Sequence, residues 1–142
     1  MSQIVDIADA VVEELNGESF SQAFTAVRAY VPRYEVKDLK DLTVTVIPGP
    51  LAIEGATRGS EKHDYTIMVG IQKKVDDDTP ASVDPLMDLV EEIADFLTGR
   101  RLTSVPAARW EGTGNDEPFI PEMMDQLRVF TSFVTVGYGL VR

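Results

Sequence analysis

The 142-residue chain contains no cysteine. That absence excludes disulfides, iron–sulfur clusters, thiolate metal sites and a cysteine nucleophile together, and leaves the redox compartment open. Histidine is almost absent too, with His63 standing alone. No stretch approaches the roughly 18 consecutive apolar residues that read as a membrane span. The N-terminus is acidic and amphipathic where a secretory signal would be basic and then apolar. Base is scarce: 13 Lys and Arg face 24 Asp and Glu, for a net charge of −11. A chain so short of cations lacks the footprint needed to wrap DNA nonspecifically or to dock on anionic lipid. What remains is a length suited to one hydrophobic core rather than two. The expectation is one soluble, non-exported globular domain over residues 1–142.

Along the chain, Ile4, Ile7, Ala8, Val11, Val12 and Leu15 recur at helical spacing while Asp6, Asp9, Glu13 and Glu14 fill the other side. This pattern predicts a helix over residues 3–15, with Ser2 as its cap and Asn16-Gly17 as its stop. Residues 24–31, with Phe24, Val27, Tyr30 and Val31, suggest a strand ending at Pro32. Leu42, Val44 and Val46 share one face of a further strand, which Pro48-Gly49-Pro50 is expected to end. Residues 51–62 read as the least regular stretch, either a hairpin arm or a long loop. The clearest strand follows, with Tyr65, Ile67, Val69 and Ile71 on one face and Thr66, Met68 and Gly70 on the other. Asp76, Asp77 and Asp78 close it.

Asp84-Pro85 offers a cap and a first-turn proline for a second helix that ends at Gly99. Leu86, Met87, Val90, Ile93, Ala94 and Leu97 form its inward stripe, and Asp88, Glu91, Glu92 and Asp95 its opposite face. A strand around residues 102–110 is interrupted by Pro106. The last strand, 128–140, is apolar on both faces: Val129 and Phe133 on one, Phe130, Val134, Val136 and Tyr138 on the other. Such a strand is central, or has its second face covered by another subunit. The element order predicts an α+β fold: a mixed, mainly antiparallel sheet with two principal helices packed on one face.

Chemistry-bearing motifs are sparse. Glu61, His63 and Asp64 do not converge on one ion if they lie on an extended segment. No G-x-S-x-G elbow accompanies the single histidine. Gly55–Ser60 lacks the G-K-[ST] ending of a phosphate loop, and Gly112–Asn115 is too short for a dinucleotide turn. The three consecutive aspartates at 76–78 lack the alternate spacing of a calcium loop. Asp88, Glu92 and Asp95 share a helix face and are the remaining metal candidates, without evident partners from another element. The pattern therefore points to no catalytic residue, no cofactor and no metal.

The charge distribution is more informative. Residues 1–18 hold five acids, 76–98 hold eight and 111–125 hold five, with no base in any of the three segments. Bases lie chiefly at 28–40 and 58–62 and in the Lys73-Lys74 and Arg100-Arg101 pairs. Segregation of this kind suits electrostatically matched docking or self-assembly.

Taken together, the N-terminal amphipathic helix, the strand ending Val44-Thr-Val-Ile-Pro48, the loop with Arg58 before Tyr65–Ile71, the Asp84–Ile93 helix and the closing Arg128–Tyr138 strand resemble the tail terminator, or tail completion, proteins of long-tailed bacteriophages. The resemblance spans nearly the whole chain and rests on element order and pattern. It implies an α+β subunit of a hexameric ring that caps the tail tube and presents its other face to a head-completion or connector protein. No residue is catalytic in that reading. The 51–62 arm is expected to be mobile alone and to contact a neighbour or the tube, with the Gly112–Pro121 region as a second contact surface. Arg58, His63, Arg100 and Phe133 are the candidate subunit or tube contacts. DNA would pass an acidic channel without specific binding, no membrane would be involved, and the protein would reside in the virion tail after assembly in the host cytoplasm. The competing readings are another head–tail joining protein, a non-viral acidic binding module, and a small metal-dependent enzyme using the helix carboxylates.

Overall fold

In the computed structural model, the described residues are 2–30, 41–76, 79–115, 120–122 and 128–141. Their order is α1 (Gln3–Asn16), β1 (Ala26–Arg28), β2 (Thr43–Thr57), β3 (Ser60–Lys74), α2 (Pro80–Leu97), β4 (Arg109–Gly114) and β5 (Val129–Val141). The strands form one sheet in the order β1-β2-β3-β5-β4. Only β1 and β2 run parallel; the other three pairings are antiparallel. This is the expected α+β architecture with a mixed, mainly antiparallel sheet.

Register explains why one face becomes the core. Val44 pairs with Ile71 and Val46 with Val69, while Val69, Ile67 and Tyr65 pair with Val134, Val136 and Tyr138. Cross-strand partners point the same way, so these side chains make one apolar layer. Ile7, Val11 and Leu15 of α1 and Leu86, Leu89, Val90, Ile93 and Leu97 of α2 join them in a single buried cluster. Helix α1 lies over β1 and β2, and α2 over β5 and β4. Both helices thus cover the same face. The strand 128–140 is indeed interior, flanked by β3 and β4.

Several local expectations need correction. Ser2 occupies the N-cap of α1, but its side chain makes no capping hydrogen bond. Gly17 has φ −87°, so no left-handed residue ends the helix. Asn16 does other work: its Nδ2 donates to the Ala26 carbonyl at 3.1 Å and its Oδ1 accepts the Ala26 N–H at 2.7 Å. This side-chain clip imitates a strand partner and fixes where β1 begins. The strand expected over 24–31 shortens to Ala26–Arg28, because Phe24 stacks on Phe20, which in turn meets Phe96 of α2 edge-on. Val31, the last residue of that expected strand, lies outside the described residues, as do Asp77 and Asp78.

Pro48-Gly49-Pro50 does not end β2. The strand runs on to Thr57 through an irregularity between Pro48 and Leu51. Two conditions make this possible. β1 reaches only as far as Val46, so Pro48 sits on an edge where a missing N–H costs no ladder bond, and Pro50 falls within the irregularity, where it has no register partner on β3. Gly49 also approaches Thr66 so closely that a Cβ would lie 2.7 Å from its carbonyl oxygen. Helix α2 begins at Pro80 with Thr79 as N-cap, and Pro85 falls inside it. Thr79-Pro80 repeats the cap-plus-proline pattern one turn earlier and extends the helix by more than a turn. Pro85 leaves the Ala81 carbonyl without its helical donor, and the Pro85 carbonyl accepts Gln22 Nε2 at 3.1 Å. Leu89, absent from the expected stripe, is fully buried. The strand expected over 102–110 is replaced by turns up to Ala108, and β4 starts only at Arg109.

Candidate functional site

The stretch expected to be irregular is a continuous β-hairpin. Leu51 pairs with Tyr65, Ile53 with His63, Glu54 with Lys62 and Gly55 with Glu61. Gly59, at φ 86°, provides the left-handed backbone for the two-residue turn with Arg58. A side chain other than glycine would be strained there. β5 supports β3 along this arm out to the Lys62–Val141 pair. The arm is therefore an extension of the sheet with its own hydrogen bonds.

Two of its apolar side chains are exposed, Leu51 at 50% and Ile53 at 54%; Val141 of β5, 63% accessible, lies on the other face, opposite Lys62. Leu51 and Ile53 lie on the helix-covered side of the sheet, beyond the part that the helices shield. His63 stands opposite Ile53 on the same face, one pair farther out than Leu51 and Tyr65. Its ring stacks against Tyr65 with centroids 6.1 Å apart, Nδ1 lies 3.4 Å from the Tyr65 hydroxyl, and Nε2 lies 3.3 Å from Glu61. On the other side of the arm, Lys62 Nζ reaches Glu111 of β4 at 2.7 Å and Asp64 at 3.3 Å. The hydrogen bond to Glu111, followed by that to Asp64, raises the Lys62 pKa. Asp64 is held below the usual carboxylate range by its hydrogen bond with Glu111, with Lys62 assisting against the opposing effect of burial. This charged clasp ties the arm to β4 and fixes its direction.

The four candidate contacts are not gathered in one place. Arg58 caps the turn, exposed and without an ion-pair partner among the described residues. His63 lies partway along the arm, opposite Ile53. Arg100 is engaged within the chain: its Nε donates to Glu14 at 2.7 Å and its guanidinium lies 4.0 Å from the Phe96 ring centroid. Phe133 sits on the opposite sheet face, against Gly70, where a Cβ would come within 3.1 Å of the ring. Of the Gly112–Pro121 contact region, residues 116–119 lie outside the described residues; Gly112 belongs to β4. Sequence reasoning missed Leu51, Ile53, Lys62 and Glu111. The alternation Leu51-Ala52-Ile53-Glu54 was the available signal, masked by the prolines before it and the glycines after it.

The helix carboxylates line a groove of about 600 Å³ with Ser21, Gln22 and Lys73. Glu92 is already committed, accepting the Ser21 N–H at 3.0 Å and its hydroxyl. It is not a free solvent-facing carboxylate. Among the described residues no three His, Asp or Glu side chains are placed to hold one metal ion. A second groove of about 500 Å³ is lined by Asp6, Asp9 and Glu13 of α1 with Ser104 and Val105. Glu14 balances burial, which raises its pKa, against hydrogen bonds from Arg100 and Thr103, which lower it further; the net shift is downward. Both helices thus present acidic outer surfaces bordered by grooves, and exposed large apolar groups lie on the arm at Leu51 and Ile53, on β5 at Val141, and at the β1 end at Val27 and Tyr30.

The chain matches no protein-family model, and no curated protein resembles it closely enough to count as a relative.

Proposed function

We propose that the chain is the subunit of a hexameric ring that terminates the tail tube of a long-tailed phage or prophage and joins it to the head connector. The observation that carries this reading is the β2–β3 arm, a preformed ladder that holds Leu51 and Ile53 half-exposed past the end of the core. Contiguous apolar surface on a small domain marks a place where another protein binds. A preformed ladder binds without the entropic cost of ordering a loop. In a ring, one face of the arm meets a neighbour and its Arg58 turn is free to reach the tube.

The acidic outer faces of the helices support the same reading. DNA leaving a head must pass such a ring, and a wall rich in carboxylates offers phosphates no counterion-release affinity. The resemblance in element order adds the specific assignment to a tail terminator. In this function no side chain does covalent chemistry; the working parts are the arm, the edges of the sheet and the placement of charge.

The test is a capping assay. Purified protein mixed with cognate tail tubes is expected to appear as a ring at one tube end in electron micrographs and to block further tube growth. Tubes that stay bare and continue to elongate at saturating protein would overturn the assignment.

A further inference from the structure

We infer that the open edge of β2 over Leu51–Gly55 pairs with the β4 edge of a neighbouring copy, joining the sheets of successive subunits head to tail. This deepens the ring reading and rests on it. β1 covers β2 only from Val44 to Val46. Past that point β2 has no second strand neighbour among the described residues.

Backbone direction follows from one hydrogen bond. The Val46 carbonyl accepts Ala29 N–H at 3.0 Å, so Val46 faces β1 and away from β3. Its partner Val69 then faces away from β2, and so do Ile67, Tyr65 and His63, since alternate residues of a strand turn their polar groups the same way. Leu51 and Ile53, opposite Tyr65 and His63, therefore offer their N–H and C=O groups to the open edge. Edges are commonly blunted with proline or charge. Here the prolines stop at Pro50, and the following Leu51-Ala52-Ile53 is an apolar, unblunted run. An edge of this kind is covered in a working assembly or it aggregates.

The occupant is a second copy because the same chain carries the complement. β4 is the opposite edge of the sheet. Tyr138 spends its backbone groups on Tyr65, so Trp110, opposite Tyr138 on the other side, turns its own outward by the same alternation. Arg109 beside it is exposed, as is Glu54 on β2, and neither has an ion-pair partner among the described residues. Pairing β2 with β4 brings these opposite charges to one seam. Pairing β2 with itself across a twofold axis would set Glu54 near Glu54, adding local repulsion to that of two chains at −11 each. A seam between two different edges is heterologous, so it propagates from copy to copy and ends only by closing a ring.

The test uses sedimentation of the full chain and four variants at one moderate salt concentration. Ile53→Pro deletes an outward N–H that serves no internal ladder, so the subunit retains its circular dichroism and loses assembly. Glu54→Arg and Arg109→Glu are each expected to weaken assembly about tenfold or more, and their combination to restore it to within about threefold of wild type. If Ile53→Pro fails to fold, the charge exchange still decides. Rings that form equally well in every variant, or a double variant no better than the singles, would overturn the seam while leaving the ring reading intact. Association that halts at a dimer would assign the edge to a twofold copy and overturn it as well. A wild-type chain that never assembles rejects the ring reading and the seam together.

Discussion

Ile93 has no solvent exposure and sits where α2 meets the sheet. Ile93→Ala removes transfer free energy and leaves a cavity, so a loss of about 2–5 kcal/mol is expected in denaturant melts. The neutral reference on the same helix is Glu91, which is exposed, and Glu91→Ala should stay within about 0.5 kcal/mol. Glu92 is an unsuitable reference despite its carboxylate, because it binds both the N–H and the hydroxyl of Ser21. Glu92→Ala is expected to fall between the other two, at about 1 kcal/mol. Equal losses at 91 and 93 would reverse the assigned helix phase. Tyr138 makes a second residue-scale case. Its hydroxyl is buried with no hydrogen-bond partner among the described residues, and burial, with the Glu14 charge adding and Arg100 opposing, pushes its pKa up to about 12. A raised phenol pKa means that the unfolded chain ionises first. The associated stability is complete below about pH 10 and is lost as pH rises through the folded value. Tyr138→Phe should therefore melt no lower than wild type near neutrality and keep more of its stability at alkaline pH; a steeper alkaline loss in the variant would contradict this account.

At the scale of elements, the arm is the main departure from what the pattern alone suggested. Glycines and prolines in 48–59 read as a break and a loop, and a mobile segment was the natural expectation. The fold instead uses them for a bulge, a close approach at Gly49 and a tight turn at Gly59. Hydrogen exchange on the isolated subunit should therefore show a split in the arm: slow exchange at amides that pair with β3, such as Ala52 and Glu54, and fast exchange at Leu51 and Ile53. Uniformly fast exchange would restore the loop reading. Elements with an unbroken period were legible. The stripe of α1, the alternation of β3 and the two faces of β5 followed directly from spacing, since a helix or strand packed on one core repeats its demand every turn or every second residue. Boundaries set by single contacts were not legible. Thr79-Pro80 and Asp84-Pro85 are equivalent start signals, and only packing of the first turn selects between them. Nothing local in the sequence announces that Asn16 will clip Ala26, or that Glu111 will reach Lys62 across the sheet.

For the whole molecule, charge is the opposing force. Each copy brings −11 to an assembly, and the acids are concentrated on the outer sides of α1 and α2. Apolar burial at the arm and local pairing at the seam must outweigh that repulsion. Salt screens charges separated by more than about 8 Å at roughly 0.15 M while leaving packed apolar contacts intact. Ring formation should consequently strengthen from very low to moderate ionic strength, the reverse of an assembly held by surface ion pairs. This acid segregation was readable from the sequence, whereas the position of the apolar arm relative to it needed the fold. The most direct test of the central claim is sedimentation equilibrium over a series of protein and salt concentrations. The account predicts a limiting mass near six times the 15.7 kDa of one chain, reached most readily at moderate salt. A mass of 15.7 kDa at every concentration and every salt would contradict it.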